Sequence, residues 1–418
     1  MKQLRVIQTF VSRFLILIVN FGLVIFSTNM WGSEGKGVIS IVVANVAMVS
    51  FFSSVFSGSS TSYFARKFRI EQVLSYSYIW SFLAGIIIPL ILNIFQEGYL
   101  FYLMAIAVLS SVLTTNISLF IGTQDIKRYN LYTVLQQLLH VIFLFILILV
   151  ADVRDVSLYF LAQVICLLIL ATVSTLQILR KCSIRNFILS KKVFSDMLEY
   201  GWKTQLSAFV QFLNYRLSFY FLEHFQGLAA VGIFSIGITF SEAIWTITRS
   251  IAVVLYSDVV NSRSHAESIQ KTKASLKVAF SLMAVFFIGI VLIPSEVYVL
   301  IFGKDFGETR FIMLLLTPGI FAIAVSDMIG YYFSAVKELR ILNIKSFVGL
   351  IITIVFSLIA IPRWGITGAC VVTVTSYVVS GAILFRRFYQ TTGFSVKDYL
   401  ITPAEVKVLL KTFSGKKE

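Results

Sequence analysis

Charged residues interrupt long apolar segments at four places in the C-terminal half of the chain: Arg216, Glu242, Arg249 and Asp327. A charge at the centre of a lipid bilayer costs roughly 2.5–3.5 kcal/mol on insertion scales, so such a side chain usually faces a partner, water or a ligand. These four residues are therefore the first candidates for substrate binding or ion coupling.

Arg216 belongs to a patterned helix face. Gln205, Phe209, Phe212 and Arg216 follow a 4-3-4 spacing, which places them on one side of a helix that is polar at both ends and aromatic between. As a cavity cation, Arg216 would bind an anionic substrate, with Gln205 and the nearby Asn214 as further ligands. The alternative is an arginine that extends its guanidinium to the external interface.

Glu242 and Arg249 lie seven residues apart on one helix face. The helical rise separates them by ~10 Å, which is too far for a direct ion pair. Each therefore needs another partner, which is a neighbouring helix, water or a ligand. A purely structural network, for example Glu242 with Arg216, is the alternative to a substrate-binding function.

Two carboxylates are candidates for ion coupling, Asp327 and Glu242. Asp327 would serve as a protonation or sodium site in a coupled transporter. The alternative is a carboxylate near the cytoplasmic end of its helix, paired with Lys337 or Arg340.

Arg13 and Lys203 lie about one helical turn inside the predicted cytoplasmic boundary. They would line the mouth of a cavity that opens inward, where they join the candidate substrate-binding set. The alternative is ordinary anchoring of a helix end by a basic residue.

The segments that contain these residues are apolar enough to lie in lipid. Of 418 residues, 58% are hydrophobic and 13% charged, and the mean hydropathy is +0.89. A soluble domain has about a quarter of its residues charged. Apolar runs of about 18 residues recur along the chain, and a helix needs this length to cross a ~30 Å hydrocarbon core. The composition predicts an all-α polytopic membrane protein.

The hydropathy pattern predicts twelve transmembrane helices. They lie at residues 11–31, 38–57, 73–95, 99–121, 131–150, 156–179, 196–222, 229–256, 275–302, 311–335, 341–361 and 366–386. The seventh and eighth contain Lys203, Arg216, Glu242 and Arg249, so they are the least apolar of the set.

The basic residues support this topology. With the N-terminus in the cytoplasm, 26 Lys and Arg residues fall in cytoplasmic loops and tails and five in external loops. Lys345 counts among the cytoplasmic ones. Such an asymmetry is typical of a correct span count, because one missed span would scramble it. Both termini are therefore predicted in the cytoplasm, and the formal net charge of +15 needs no nucleic-acid partner.

Enzyme signatures are weak. The three histidines are scattered, the three cysteines have no metal-ligand spacing, and there is no phosphate-binding glycine loop. We expect no catalytic residues, no metal and no bound cofactor. A membrane glycosyltransferase or ligase is disfavoured, because the predicted external loops are short and have no paired carboxylates.

Short matches indicate an internal duplication. Residues 37–41 read GVISI at the second span, and residues 232–236 read GIFSI at the eighth, 195 positions later. Asn20 and Asn214 lie at nearly the same offset. Two six-helix halves of equal orientation form a parallel repeat about an axis normal to the membrane.

Several stretches resemble the polysaccharide-transporter branch of the multidrug/oligosaccharidyl-lipid/polysaccharide exporter superfamily, which contains the O-antigen flippases. They are residues 31–38 (WGSEGKGV), 214–217 (NYRL), 230–235 (AVGIFS), 302–306 (FGKDF) and 362–369 (PRWGITGA). Their order and spacing cover nearly the whole chain. One departure is Ser218, where members of the family often have an aspartate; this puts ion coupling at that position in doubt.

The resemblance implies two six-helix bundles around a central cavity, at residues 1–190 and 191–388, followed by a basic cytoplasmic tail at 389–418. The implied cargo is an undecaprenyl-pyrophosphate-linked oligosaccharide, such as an O-antigen unit of lipopolysaccharide, flipped across the bacterial inner membrane by alternating access. Implied partners are membrane lipids and other polysaccharide-assembly proteins such as the polymerase. Coupling to an H⁺ or Na⁺ gradient is one option. The alternative function is a cation-coupled exporter of small amphiphiles or drugs.

Overall fold

The computed structural model describes residues 2–94, 98–151, 154–183, 189–262, 264–336 and 338–393, which are helices and short connections without a β-strand. The helices are α1 (Lys2–Ser53), α2 (Ser59–Phe64), α3 (Ile70–Asn93), α4 (Leu100–Gly122), α5 (Ile126–Val150), α6 (Ser157–Leu179), α7 (Lys191–Gln226), α8 (Leu228–Val260), α9 (His265–Leu292), α10 (Ser295–Phe302), α11 (Thr309–Ala335) and α12 (Leu339–Thr392). Of the predicted basic tail, residues 394–418 lie outside the described part of the chain.

Two of the helices each contain two predicted spans. α1 and α12 change direction at Gly32 (φ 63°, ψ −162°) and Gly365 (φ 54°, ψ −127°), where the backbone is not helical. In the described residues nine helices are long and apolar enough to cross a membrane, α1 and α12 among them. The two breaks, together with the more polar α7, bring the number of spans to twelve. This confirms the predicted fold class of a multi-pass all-α membrane protein with two six-helix halves.

The predicted ninth span, at 275–302, is wrong at both ends. α9 begins ten residues earlier, because Ser264 caps it by accepting a hydrogen bond from the Glu267 amide at 3.2 Å. It ends before Pro294, which has no N–H to continue the helix, and α10 follows as a separate short helix. The short α2 was also missed, since six residues are too few for a periodic signal.

The chain forms two compact units, residues 1–212 and 213–418. The division falls inside α7, some twenty residues beyond the sequence-based expectation at 190. In the N-terminal unit, α4 is the central helix and packs against α3, α5 and α6. Its core contains Leu74, Ile106, Phe160 and Leu167, all fully buried.

In the C-terminal unit, α11 packs most extensively against α8 and α12. Met328, Tyr332 and Phe333 of α11 lie in a buried cluster with Leu255 of α8 and Phe388 of α12. α11 is thus the helix that positions its polar side chains, including Asp327, against both neighbours.

Lipid-facing surface is evident from large apolar side chains on the outside of both units. Phe101, Leu149 and Leu300 are three-quarters or more exposed, with many others around half exposed. A water-soluble protein rarely exposes contiguous apolar surface on this scale, so these residues fit the acyl-chain environment.

The backbone supports the internal duplication. Gly227, which separates α7 from α8, has φ 83°, and Gly32, which separates the two arms of α1, has φ 63°. The two glycines are 195 positions apart, the same offset as the GVISI and GIFSI matches. Both halves therefore make their first helix reversal with a left-handed glycine at the equivalent position.

Candidate functional site

The first ion pair of the C-terminal unit joins α7 to α8. Arg216 Nη2 donates to Glu242 Oε1 at 2.5 Å, and both side chains are partly accessible. The Arg216 guanidinium also lies 5.1 Å from the ring centre of Phe219, which adds a cation–π contact. The partner of Glu242 is therefore the one that the structural alternative named.

The second ionic group joins α8, α11 and α12. Arg249 Nε contacts Asp327 Oδ2 at 3.4 Å, and Lys345 Nζ contacts Asp327 Oδ1 at 3.5 Å. Lys345 also donates to the Ser326 hydroxyl at 2.9 Å. The carboxylate thus lies between two cations, one on each oxygen.

Accessibility separates the two cations. The side chain of Lys345 is 7% exposed and that of Asp327 is 15%, whereas that of Arg249 is 48%. A buried ammonium needs its carboxylate, because an unpaired charge in a low-dielectric interior is costly. Lys345 and Asp327 therefore form the fixed part of the group, and Arg249 is its accessible member.

The sequence-based interpretation missed Lys345, which it counted among the cytoplasmic loop cations. It lies inside α12 and is buried, so that assignment is wrong. Among the described residues, Asp327 forms ion pairs with Lys345 and Arg249 and not with the predicted Arg340. The other predicted partner, Lys337, lies outside the described residues. The burial of Lys345 could have been inferred from the i, i+4 spacing of Lys345, Gly349 and Thr353, which form a polar and small helix face within an apolar segment.

Two tyrosines lie near the ionic groups. Tyr377 of α12 is buried and lies within electrostatic reach of Arg216, Glu242, Arg249 and Asp327. Its ring packs perpendicular to that of Tyr215, with centroids 5.7 Å apart. We refer to Arg216, Glu242, Arg249, Asp327 and Lys345 as the charge cluster. It contains three cations and two carboxylates, so it has one excess positive charge.

Asn214 has a different environment from the charge cluster. It is buried, and its Oδ1 accepts hydrogen bonds from the hydroxyls of Thr353 and Ser376, both at 2.8 Å. A methyl group at Gly349 would come within 2.4 Å of the Asn214 amide nitrogen. Asn214 therefore joins α7 to both arms of α12, and this geometry is that of a packing residue.

Among the described side chains, the candidates of the N-terminal unit do not form a comparable group. Lys203 pairs with Glu199 one turn earlier at 2.6 Å, and both side chains are about two-thirds exposed. Gln205 is half-buried, with its amide 3.5 Å from the Ser59 hydroxyl. Arg13 lies in α1, but its side chain is outside the described part of the structure.

The charge cluster offers anion binding and proton or cation exchange rather than covalent chemistry. Guanidinium and ammonium groups bind phosphate oxygens, and carboxylates bind cations or protons. Within the described residues, no three His, Cys, Asp or Glu side chains are grouped so as to hold a metal ion.

No family model and no curated protein matches the sequence. Solved structures match over nearly the full chain. An inward-closed structure of the lipid II flippase MurJ has a TM-score of 0.74 at 14% identity, covering 99% of this chain and 93% of the flippase. An inward-facing multidrug resistance MATE family transporter of the MOP superfamily has a TM-score of 0.70 at 15% identity, covering 91% and 96%.

A MOP superfamily transporter from Pyrococcus furiosus, described as having a binding pocket of reversed polarity, is also similar. Its TM-score is 0.63 at 16% identity, with 94% of this chain and 96% of that one covered. At these identities the likeness concerns architecture. The chain therefore has the twelve-helix, two-lobed fold of MOP superfamily transporters.

Proposed function

We propose that the protein is a flippase that moves an undecaprenyl-pyrophosphate-linked oligosaccharide, such as an O-antigen repeat unit, across the bacterial inner membrane by alternating access. The observation that most supports this is the charge cluster, whose excess positive charge lies within apolar helices. No covalent step is part of the proposal, so the protein is a transporter and not an enzyme.

The chemistry of the cargo matches the charge cluster. A pyrophosphate cannot cross hydrocarbon unaided, because desolvating its charge is too costly. The accessible Arg249 offers a planar guanidinium that binds phosphate oxygens in a bidentate manner, and Arg216 adds a second positive charge to the cluster. The prenyl tail stays in the bilayer throughout, so only the head group and sugars need a polar path.

Similarity of fold supports the same proposal. One similar structure is a lipid II flippase, so its fold accommodates a lipid substrate. The excess of basic residues in the predicted cytoplasmic loops supports an orientation with both termini in the cytoplasm. The polymerase that joins exported repeat units is the partner we expect nearby.

Gene deletion tests this function. We expect loss of a surface glycan and accumulation of lipid-linked repeat units on the cytoplasmic leaflet. Complementation with Arg249→Ala should leave export impaired although the protein is inserted and abundant, whereas Lys203→Ala should restore it. An unchanged glycan in the deletion strain would contradict the proposal.

The alternative is a cation-coupled exporter of small amphiphiles. Two observations favour it: the similarity to a multidrug transporter and the Asp327 carboxylate within the membrane-spanning part of α11. This function predicts that deletion raises sensitivity to cationic dyes while the glycan stays unchanged. The same strain therefore distinguishes the two functions.

A further inference from the structure

Asp327 contacts two cations of the charge cluster, Arg249 on one carboxylate oxygen and Lys345 on the other. If Arg249 leaves Asp327, the carboxylate keeps its contact with Lys345. Releasing Arg249 therefore does not leave Asp327 as an unpaired buried charge, which lowers the cost of the release.

Contact geometry points the same way. Arg216 is held at 2.5 Å and lies against the Phe219 ring, a short charge-assisted contact with aromatic support. Arg249 contacts Asp327 at 3.4 Å, at the long end of hydrogen-bonding distance, and its side chain is the most exposed of the five.

Lys345 is suited to retain the carboxylate. It is buried, bonds the neighbouring Ser326 hydroxyl at 2.9 Å, and lies on α12, a different helix from Arg249. Movement of the Arg249 side chain therefore breaks no contact described between Lys345 and α11.

We propose that Asp327 occupies the place of the cargo's phosphate on Arg249, and that a pyrophosphate-bearing lipid binds by displacing it while Lys345 holds the displaced carboxylate. This deepens the proposed function and rests on it for the identity of the lipid. Asp327 is then a positioning residue that competes with the bound anion. Its return to Arg249 favours release, which a transporter needs as much as binding.

Binding measurements on single and double variants test whether the cargo's phosphate displaces Asp327 from Arg249, which we call the exchange. The full chain in detergent is titrated with farnesyl pyrophosphate by calorimetry at fixed ionic strength, and farnesol reports binding of the tail alone. Removing the competing carboxylate with Asp327→Asn should tighten farnesyl pyrophosphate binding on the order of tenfold, the value of one charged hydrogen bond. Arg249→Ala should abolish binding, and the double variant Arg249→Ala/Asp327→Asn should not regain it.

Glu242→Gln is the matched control, since it changes the net charge equally at the other pair. Its expected gain is less than twofold, because Arg216 stays against Phe219. Equal tightening by Glu242→Gln and Asp327→Asn would overturn the exchange, as would a gain that persists without Arg249. Farnesol binding as tight as farnesyl pyrophosphate, or no binding by wild type and Asp327→Asn alike, would overturn it too.

If Asp327→Asn does not fold, Arg249→Lys replaces it. This variant keeps the charge but loses the guanidinium fork, and should weaken binding about tenfold while Arg216→Lys changes it little. A larger loss from Arg216→Lys would overturn the assignment. The gene deletion tests the cargo separately. If the glycan is intact in the deletion strain but the binding results are as expected, only the proposed function is contradicted. If the glycan is lost but Asp327→Asn does not change binding, only the displacement of Asp327 by the cargo is contradicted.

Discussion

The two halves of the chain cross the membrane with different polar chemistry. In the N-terminal unit, α4 and α6 contain no Asp, Glu, Lys or Arg. They are joined by Asn116, whose amide donates to the hydroxyls of Ser174 and Thr175 at 2.8 and 2.9 Å and whose Oδ1 accepts from Tyr78 at 2.6 Å. The C-terminal unit has an equivalent neutral network around Asn214, and the charge cluster in addition.

This difference indicates that the charges are not needed to hold the helices together. Neutral asparagine networks suffice to join helices in both units, since buried amide and hydroxyl groups satisfy one another at modest cost. Placing five ionisable groups in α7, α8, α11 and α12 has a higher free-energy cost of membrane insertion than placing neutral amides and hydroxyls there. We propose that they serve binding and transport.

The largest expected effect comes from Lys345→Met, which removes the buried cation of Asp327. Breaking a buried ion pair on one side costs roughly 3 kcal/mol, because the remaining charge is left uncompensated. The thermal midpoint in detergent should fall clearly, and Lys345→Met/Asp327→Asn should recover most of the loss. A midpoint equal to wild type in the single variant would show that Lys345 does not stabilise Asp327.

A smaller effect is expected from Asn116→Ala and Asn214→Ala. Each removes a buried network, and with interhelical hydrogen bonds in membranes averaging about 0.6 kcal/mol, each variant should lose about 1–2 kcal/mol. Export per folded molecule should be unchanged for both. Loss of export at normal stability in Asn214→Ala alone would make Asn214 a substrate ligand, as the sequence-based prediction has it.

The equivalent turns provide a third test. Gly227→Ala places a methyl group in open space, so its cost is only that of a left-handed backbone, about 1–2 kcal/mol. Gly32 also has a positive φ, but its ψ of −162° lies in a region that is essentially restricted to glycine, so Gly32→Ala should cost at least as much. A thermal midpoint equal to that of wild type in either variant would argue against a turn that requires glycine at that position.

The smallest effect is expected from Lys203→Met. Its pair with Glu199 is about two-thirds exposed, and such surface pairs contribute little to stability. We expect an unchanged thermal midpoint and unchanged export. Impaired export would instead place Lys203 in the substrate path, as the sequence-based prediction has it.

Several features of the fold are determined locally, and for these the sequence was sufficient. Apolar segments of about twenty residues specify spans, because every backbone polar group in lipid must be satisfied within its own helix. The charges of Arg216, Glu242, Arg249 and Asp327 are visible in the sequence because each interrupts an apolar segment.

Only the tertiary structure decided which charges meet. Arg249 and Asp327 are 78 positions apart, and no helical spacing relates residues of different helices. The sequence did not reveal the burial of Lys345, because this residue lies only four positions after the predicted start of the eleventh span at 341. At that position a loop cation and a buried cation have the same sequence signature. Its burial depends on where α12 packs against α11, and that packing is a property of several helices together. Periodicity thus identified the polar residues, whereas their pairing depended on contacts between helices.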